Sequence, residues 1–242
     1  LSPAKRALLE LKLKQNAANS AARISIPKRP HDSPAPLSFA QQRLWFLSKL
    51  EPNSPAYNIH VVRRLTGPLN VKALEQALAE IVTRHESLRT RFEDVGGVPQ
   101  QVIDEPREWK LKLIDLSSTD EKERVAQQLA RADAQRPFVL AREWGMRAQL
   151  LHLADTDHIL VLTMHHIVSD GWSLGVLFEE LHRLYEAYNR GAQDSPLPEL
   201  ALQYADFSVW QRDWLETTQP ELQLSYWKEQ LAATTPTELP IA

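Results

Sequence analysis

Apolar positions recur along this chain in two rhythms. From Asn70 to about Ser87, Val71, Leu74, Leu78, Ile81 and Val82 fall on one helical face behind an Asn suited to capping. Ser38 precedes a similar helix to about Lys49, and Thr119 to Gln135 reads as a third, stopped by Pro137. Leu177, Leu181, Leu184, Tyr185 and Tyr188 share one face of a fourth, which starts near Trp172. Between these helices lie short runs of strand formers at Tyr57–Leu65, Leu88–Phe92, Val98–Ile103 and Leu111–Leu116. Gly96-Gly97 marks a hairpin turn, and Met146–Leu153 with His158–His165 forms a further hairpin. Two last helices follow at roughly Tyr204–Leu215 and Glu221–Leu231. Strands and helices interleave, hairpins included, so the pattern predicts a mixed α+β sandwich of the α/β class.

Before this block, Ser2 and Pro3 open a short amphipathic helix over residues 3–15. Asn16 to Pro36 is polar and broken by Pro27, Pro30, Pro34 and Pro36, as a linker would be. The chain of 242 residues thus divides into helix and linker (1–36), a compact unit (37–190), and a linker with helices (191–242). A net charge of −3 implies no broad basic surface for nucleic acid. No apolar run reaches the ~18 residues that span a bilayer. Cysteine is absent, which excludes disulfides and a thiol nucleophile and suits a cytoplasmic location. There is no Gly-x-Ser-x-Gly, no nucleotide-binding glycine loop and no His-Glu-x-x-His.

The chemistry concentrates in His165-His166-Ile167-Val168-Ser169-Asp170-Gly171, at the junction of the last strand and the helix from Trp172. Imidazole exchanges protons near neutral pH. Neighbouring strand residues point to opposite faces, so His165 and His166 have different surroundings. The expectation is that His166 faces a cleft and His165 the far side. Their divergence, with cysteine lacking, argues against a metal site. Asp170 either caps the helix or forms an ion pair. Gly171 permits either an unusual backbone angle or close approach of a substrate.

This run, with Trp172-Ser173 after it, resembles the His-His-x-x-x-Asp-Gly signature of nonribosomal peptide synthetase condensation domains. Three further stretches are similar to family motifs in the same order. They are Ser38-Phe39-Ala40-Gln41-Gln42-Arg43-Leu44-Trp45-Phe46-Leu47, Arg84-His85-Glu86-Ser87-Leu88-Arg89-Thr90-Arg91-Phe92, and Tyr204-Ala205-Asp206-Phe207-Ser208-Val209-Trp210-Gln211. The resemblance implies a chloramphenicol-acetyltransferase-like fold of two lobes with a tunnel between them. Residues 37–190 would be the N-terminal lobe, and residues after about 200 would lead into a second lobe that is mostly missing.

The implied reaction is peptide-bond formation between two carrier-bound substrates. The upstream and downstream carrier domains would present them on 4'-phosphopantetheine arms, with an adenylation domain in the same assembly line and no cofactor bound by this domain. By its place in the motif, His166 would contact the reacting amine, as general base or by hydrogen bonds. His165, Asp170 and Gly171 would support it. Arg84, Arg89 and Trp210 would be structural or positioning residues, with Arg84, Arg89 or a residue of the missing lobe as candidate partners for Asp170. The Trp172-Ser173-Leu174-Gly175 continuation resembles domains that join an L-donor to an L-acceptor. Two alternatives are a stand-alone acyl-CoA-dependent acyltransferase and a non-catalytic carrier-docking half-domain. If a second lobe is missing, the helices bearing Trp210, Trp214, Tyr226 and Trp227 should expose an apolar patch, and the isolated chain should be catalytically silent and prone to self-association.

Overall fold

The strand rhythm of the sequence is realised as two sheets in the computed structural model, which describes residues 25–30, 35–217 and 220–235. The helix expected over residues 3–15 lies outside the described residues. The larger sheet has the order β2 (Asn58–Thr66), β7 (Asp157–His165), β6 (Met146–Ala154), β5 (Lys112–Asp115). Its pairs are antiparallel except β5–β6, which is parallel. The smaller sheet is antiparallel with the order β1 (Ala35–Pro36), β4 (Val98–Ile103), β3 (Thr90–Val95). Gly96 and Gly97 both have positive φ, 64° and 87°, and close the β3–β4 turn as two consecutive left-handed residues must.

Strand alternation sorts the large sheet's side chains between two helical layers. Met146, Ala148, Leu150, Leu160, Leu162 and Met164 meet α2 (Val71–Arg84) and α4 (Gly171–Asn189) on one face. Leu151, Leu153 and Val161 meet α3 (Lys122–Gln135) on the other. A third, smaller core holds Leu37, Leu44, Phe92, Phe138, Leu140 and Ile167, and joins α1 (Phe39–Leu50) to the small sheet and the β7–α4 turn. The mixed α/β sandwich expected from the pattern of apolar positions is thus the architecture found.

Three local departures have physical reasons. Leu88 and Arg89, expected to open a strand, belong to a 3-10 turn over Glu86–Arg89, tied by the Thr90 hydroxyl donating to the Glu86 carbonyl at 2.7 Å. α3 starts at Lys122 rather than Thr119 because Glu121 stands in the left-handed region, φ 55°. The stretch read as linker is partly built into the fold. Ala35–Pro36 pairs with β4, and Arg29 is fixed between Glu86 (2.7 Å) and Asp206, whose Oδ1 accepts from the Arg29 backbone N–H at 3.2 Å.

The last two helices are α5 (Tyr204–Thr217) and α6 (Pro220–Leu231). α5 carries a ladder of rings: Phe207 to Trp210 at 5.8 Å and Trp210 to Trp214 at 5.9 Å, the second pair stacked. On α6, Leu224, Tyr226, Trp227 and Leu231 are exposed. No described helix is long and apolar enough to cross a membrane.

Candidate active site

β7 ends at His165, and its two histidines diverge. The His165 ring packs against Tyr57 (centroids 6.3 Å) and edge-on against Phe138 (5.8 Å), and the residue is 5% exposed. Its Nδ1 accepts the backbone N–H of Ile167 at 3.1 Å, which places the ring proton on Nε2. Burial, then the neighbouring His166 and Arg147, lower its pKa to about 4. His165 is therefore a neutral, fixed brace for the turn. Because its folded pKa lies below the unfolded value of about 6.5, the unfolded chain binds the proton more tightly. The stability this group supplies is complete above pH ~6.5 and is lost as pH falls towards 4. Across that window it is worth about 3 kcal/mol. Urea titrations between pH 7 and 4 should show this loss, and His165→Phe should flatten it.

His166 is exposed. Its backbone N–H donates to the Tyr57 carbonyl at 2.8 Å, and its Nδ1 lies 2.8 Å from the Ser169 carbonyl oxygen. A carbonyl only accepts, so Nδ1 carries the hydrogen. In the neutral ring Nε2 then holds a free lone pair. The turn has locked one tautomer of an accessible imidazole.

Asp170 caps α4. Its Oδ1 accepts the Ser173 N–H at 2.8 Å, and the Ser173 hydroxyl oxygen accepts the Asp170 N–H at 2.7 Å. Hydrogen bonding by the Ser173 backbone, foremost, holds this carboxyl below its ordinary range. The expected ion pair with Arg84 or Arg89 is not found. Arg84 donates to Glu180 at 3.1 Å. Arg89 donates to the carbonyls of Thr83 and Asp104 and lies 3.9 Å from Glu86. Gly171 is the first residue of α4 and does not take a left-handed angle, so that reason for a glycine falls away. A Cβ there would meet nothing within 4 Å, which leaves room for something to approach.

The other motif stretches hold this turn from three sides. Ser38 and Gln41 form a capping box on α1, and the buried Gln41 amide donates to the Ile167 carbonyl at 3.4 Å, inside the turn itself. Arg84 and His85 (2.6 Å) both bind Glu180, further along α4. α5 then ties the first two stretches together. Tyr204 and Ser38 share a hydroxyl contact at 3.0 Å, Gln211 accepts from Phe39 N–H at 3.1 Å, and Gln203 bridges the Glu86 N–H and the Arg84 carbonyl. Trp210 sits in the α5 ring ladder, away from these polar contacts.

Sequence reasoning missed several supports: Glu180, Gln203, Gln101, whose Oε1 accepts from the Gln41 amide at 3.4 Å, and above all Gly145. A Cβ on Gly145 would stand 2.6 Å from Cγ2 of Val168, while its carbonyl accepts the His165 N–H at 2.9 Å. The bare backbone of Gly145 lets the turn lie flat on β6. Gly145→Ala should cost about 1–3 kcal/mol, read from denaturant unfolding, because a branched side chain must be displaced from a packed turn. The only sequence signal was the glycine directly before a strand.

The described residues include no cluster of three or more His, Cys, Asp or Glu able to hold a metal ion. The chain matches the condensation-domain family model over residues 32–242. It is 50% identical over 210 residues to a linear gramicidin synthase of Brevibacillus parabrevis, covering 86% of this chain and 3% of that protein. It is 43% identical over 220 residues to the cyclosporin synthetase of Tolypocladium inflatum, covering 91% and 1%. Among solved structures, the X-domain from teicoplanin biosynthesis superimposes with a TM-score of 0.76 at 29% identity, over 89% of this chain and 47% of that one. The first condensation domain of the calcium-dependent antibiotic synthetase, in complex with a substrate analogue, gives 0.73 at 25% identity, over 86% and 50%. The chain belongs to the condensation domains of nonribosomal peptide synthetases, and its fold is their chloramphenicol-acetyltransferase-like one. It spans about half of those solved domains and a few per cent of the synthetases.

Proposed function

We propose that this domain forms peptide bonds. The amine of a downstream carrier-bound aminoacyl group attacks the thioester carbonyl of an upstream carrier-bound acyl or peptidyl group. The C–N bond forms, the C–S bond breaks, and the amine's proton passes to the departing pantetheine thiolate. His166 is the catalytic residue in this reading. The observation that carries it is the imidazole held through Nδ1 to the Ser169 carbonyl, which leaves Nε2 as the ring nitrogen that bond does not engage, on an exposed residue. Nε2 can accept the ammonium-like proton of the tetrahedral intermediate and deliver it to sulfur. Positioning of two tethered substrates supplies the larger part of the rate, up to about 7–11 kcal/mol, and a general base adds about 10²–10⁴-fold.

His165 braces the turn, Asp170 fixes the start of α4, and Gly171 leaves that helix end open for substrate. Arg84, Arg89 and Trp210 position the surrounding elements rather than touch the reacting atoms. Residues 37–190 act as the N-terminal lobe and 191–242 lead towards the second. The substrates ride on 4'-phosphopantetheine of carrier domains, loaded by an adenylation domain in the same cytoplasmic assembly line, with L-configured donor and acceptor.

A competition separates this reading from acyl-CoA chemistry. With the intact polypeptide that carries this sequence, an L-aminoacyl donor on a carrier should be transferred, and the same group on coenzyme A or with D configuration should not. Transfer from coenzyme A alone would favour the stand-alone acyltransferase. Carrier binding without any transfer would favour the docking role.

A further inference from the structure

On the α2–α4 side of the large sheet, directly beside the His166 turn, lies a cavity of about 150 Å³. Met164 of β7 and Ile81 of α2 line it with Leu88 of the 3-10 turn, and Val168 of the His166 turn contributes a wall. Trp172 and Val176, one helical turn apart on α4, line it as well. We propose that this cavity is a subsite for the apolar side chain of one of the two substrates, a proposal that rests on the peptide-bond reading above.

Three observations converge on it. First, the cavity is continuous with the reactive turn. Val168 and Ser173, both in its lining, flank Ser169 and Asp170, and Ser169 is the residue that holds the His166 ring. A group lodged here would lie against the turn that carries His166. Second, its chemistry is selective. Among the described residues no carboxylate, lysine or arginine lines it, and its polar residues are His85, engaged by Glu180, Ser173, engaged by Asp170, and the small neutral Ser87. A charged side chain would enter without a partner, which is costly, whereas an aliphatic or aromatic one would replace water on apolar walls. Third, its rim carries apolar surface that the described residues, about half of the related solved domains, do not bury. Trp172 is 85% exposed and Val176 is 39% exposed, although both stand beside a well-formed core. An exposed indole at the mouth of an apolar cavity gains burial when a ligand arrives. The volume equals about five liquid waters, room for a branched aliphatic or small aromatic side chain.

The geometry gives the side chain's character without choosing between donor and acceptor, since both reacting groups must meet at His166. Two substrate series separate them. In one, the donor is alanyl, leucyl or aspartyl on its carrier with a constant alanyl acceptor. In the other, the acceptor is varied against a constant alanyl donor. The readout is the ratio of kcat/KM for leucyl over alanyl within each variant of the intact polypeptide. Val176→Phe, a change at a partly exposed helix position, should fill the mouth and lower that ratio about tenfold in one series only. Val176→Ala should raise the relative rate of larger side chains in the same series and carries the test if the first variant folds poorly. Aspartyl should be the poorest substrate of that series throughout. Unchanged ratios in both series with both variants would overturn the subsite while leaving peptide-bond formation intact. Failure of the unsubstituted protein to join any pair would overturn the peptide-bond reading, and the subsite with it.

Discussion

His166→Ala should lower the rate of peptide-bond formation by about 10²–10⁴-fold with carrier binding little changed. The basis is local. The Ser169 carbonyl takes the Nδ1 hydrogen, so the neutral ring can offer only Nε2 to a substrate. Removing the ring removes that acceptor and nothing from the core, because the side chain is exposed. Folding should therefore be preserved, and circular dichroism and denaturant midpoints should match the parent. His166→Gln adds a discriminating arm. An amide can hold the amine and the intermediate by hydrogen bonds but takes no proton near neutral pH. Recovery of most of the rate by Gln would assign His166 a hydrogen-bonding role; failure of Gln to recover it would assign proton transfer. Pre-steady-state transfer between loaded carriers is the measurement, since it isolates chemistry from loading.

Glu180→Ala should destabilise the domain by about 3–5 kcal/mol, the usual cost of removing one partner from a buried ion pair. Glu180 accepts from both Arg84 (3.1 Å) and His85 (2.6 Å), and the Arg84 and Glu180 side chains are about nine-tenths buried. Truncation leaves a guanidinium without its carboxylate between α2 and α4. The effect should reach the reaction as well, because α4 is capped by Asp170 and its N-terminus moves with it. Glu180→Gln keeps the shape and part of the hydrogen bonding, so it should recover part of the stability. Equilibrium urea unfolding separates the two variants. A loss of under about 1 kcal/mol for Glu180→Ala would show that this pair does not hold the helices together.

Much of this was legible in the sequence because the strongest signals are periodic. The apolar face of α2 and the alternating β6–β7 hairpin needed no tertiary information, and the His165–Gly171 run stood between a strand and a helix. Opposite surroundings for the adjacent histidines follow from strand alternation alone. What was illegible depends on contacts distant in sequence. Arg84, a candidate partner for Asp170, instead binds Glu180, further along α4, and no periodicity announces that. Arg29 lies in a proline-broken stretch that reads as a linker, yet Glu86 and Asp206 fix it from 57 and 177 residues away. Gly145 carries no conformational signature of its own. Its need for a missing Cβ comes entirely from Val168, across the turn. Glycine at position 171 sent the opposite signal, suggesting a special backbone angle where the chain simply enters a helix.

The central claim is that the imidazole of His166, fixed by the turn, acts at a bond formed between two carriers. Its most direct measurement is the mass of the downstream carrier. The intact polypeptide is mixed with an L-aminoacyl carrier upstream and a second L-aminoacyl carrier downstream, and each carrier is weighed by intact mass spectrometry. The upstream carrier should lose its acyl group as the downstream carrier gains the same residue in amide linkage, with His166→Ala leaving both masses unchanged over the same interval. Acyl transfer that proceeds equally well in His166→Ala, or loss of the donor to water with no gain on the acceptor, would contradict the claim.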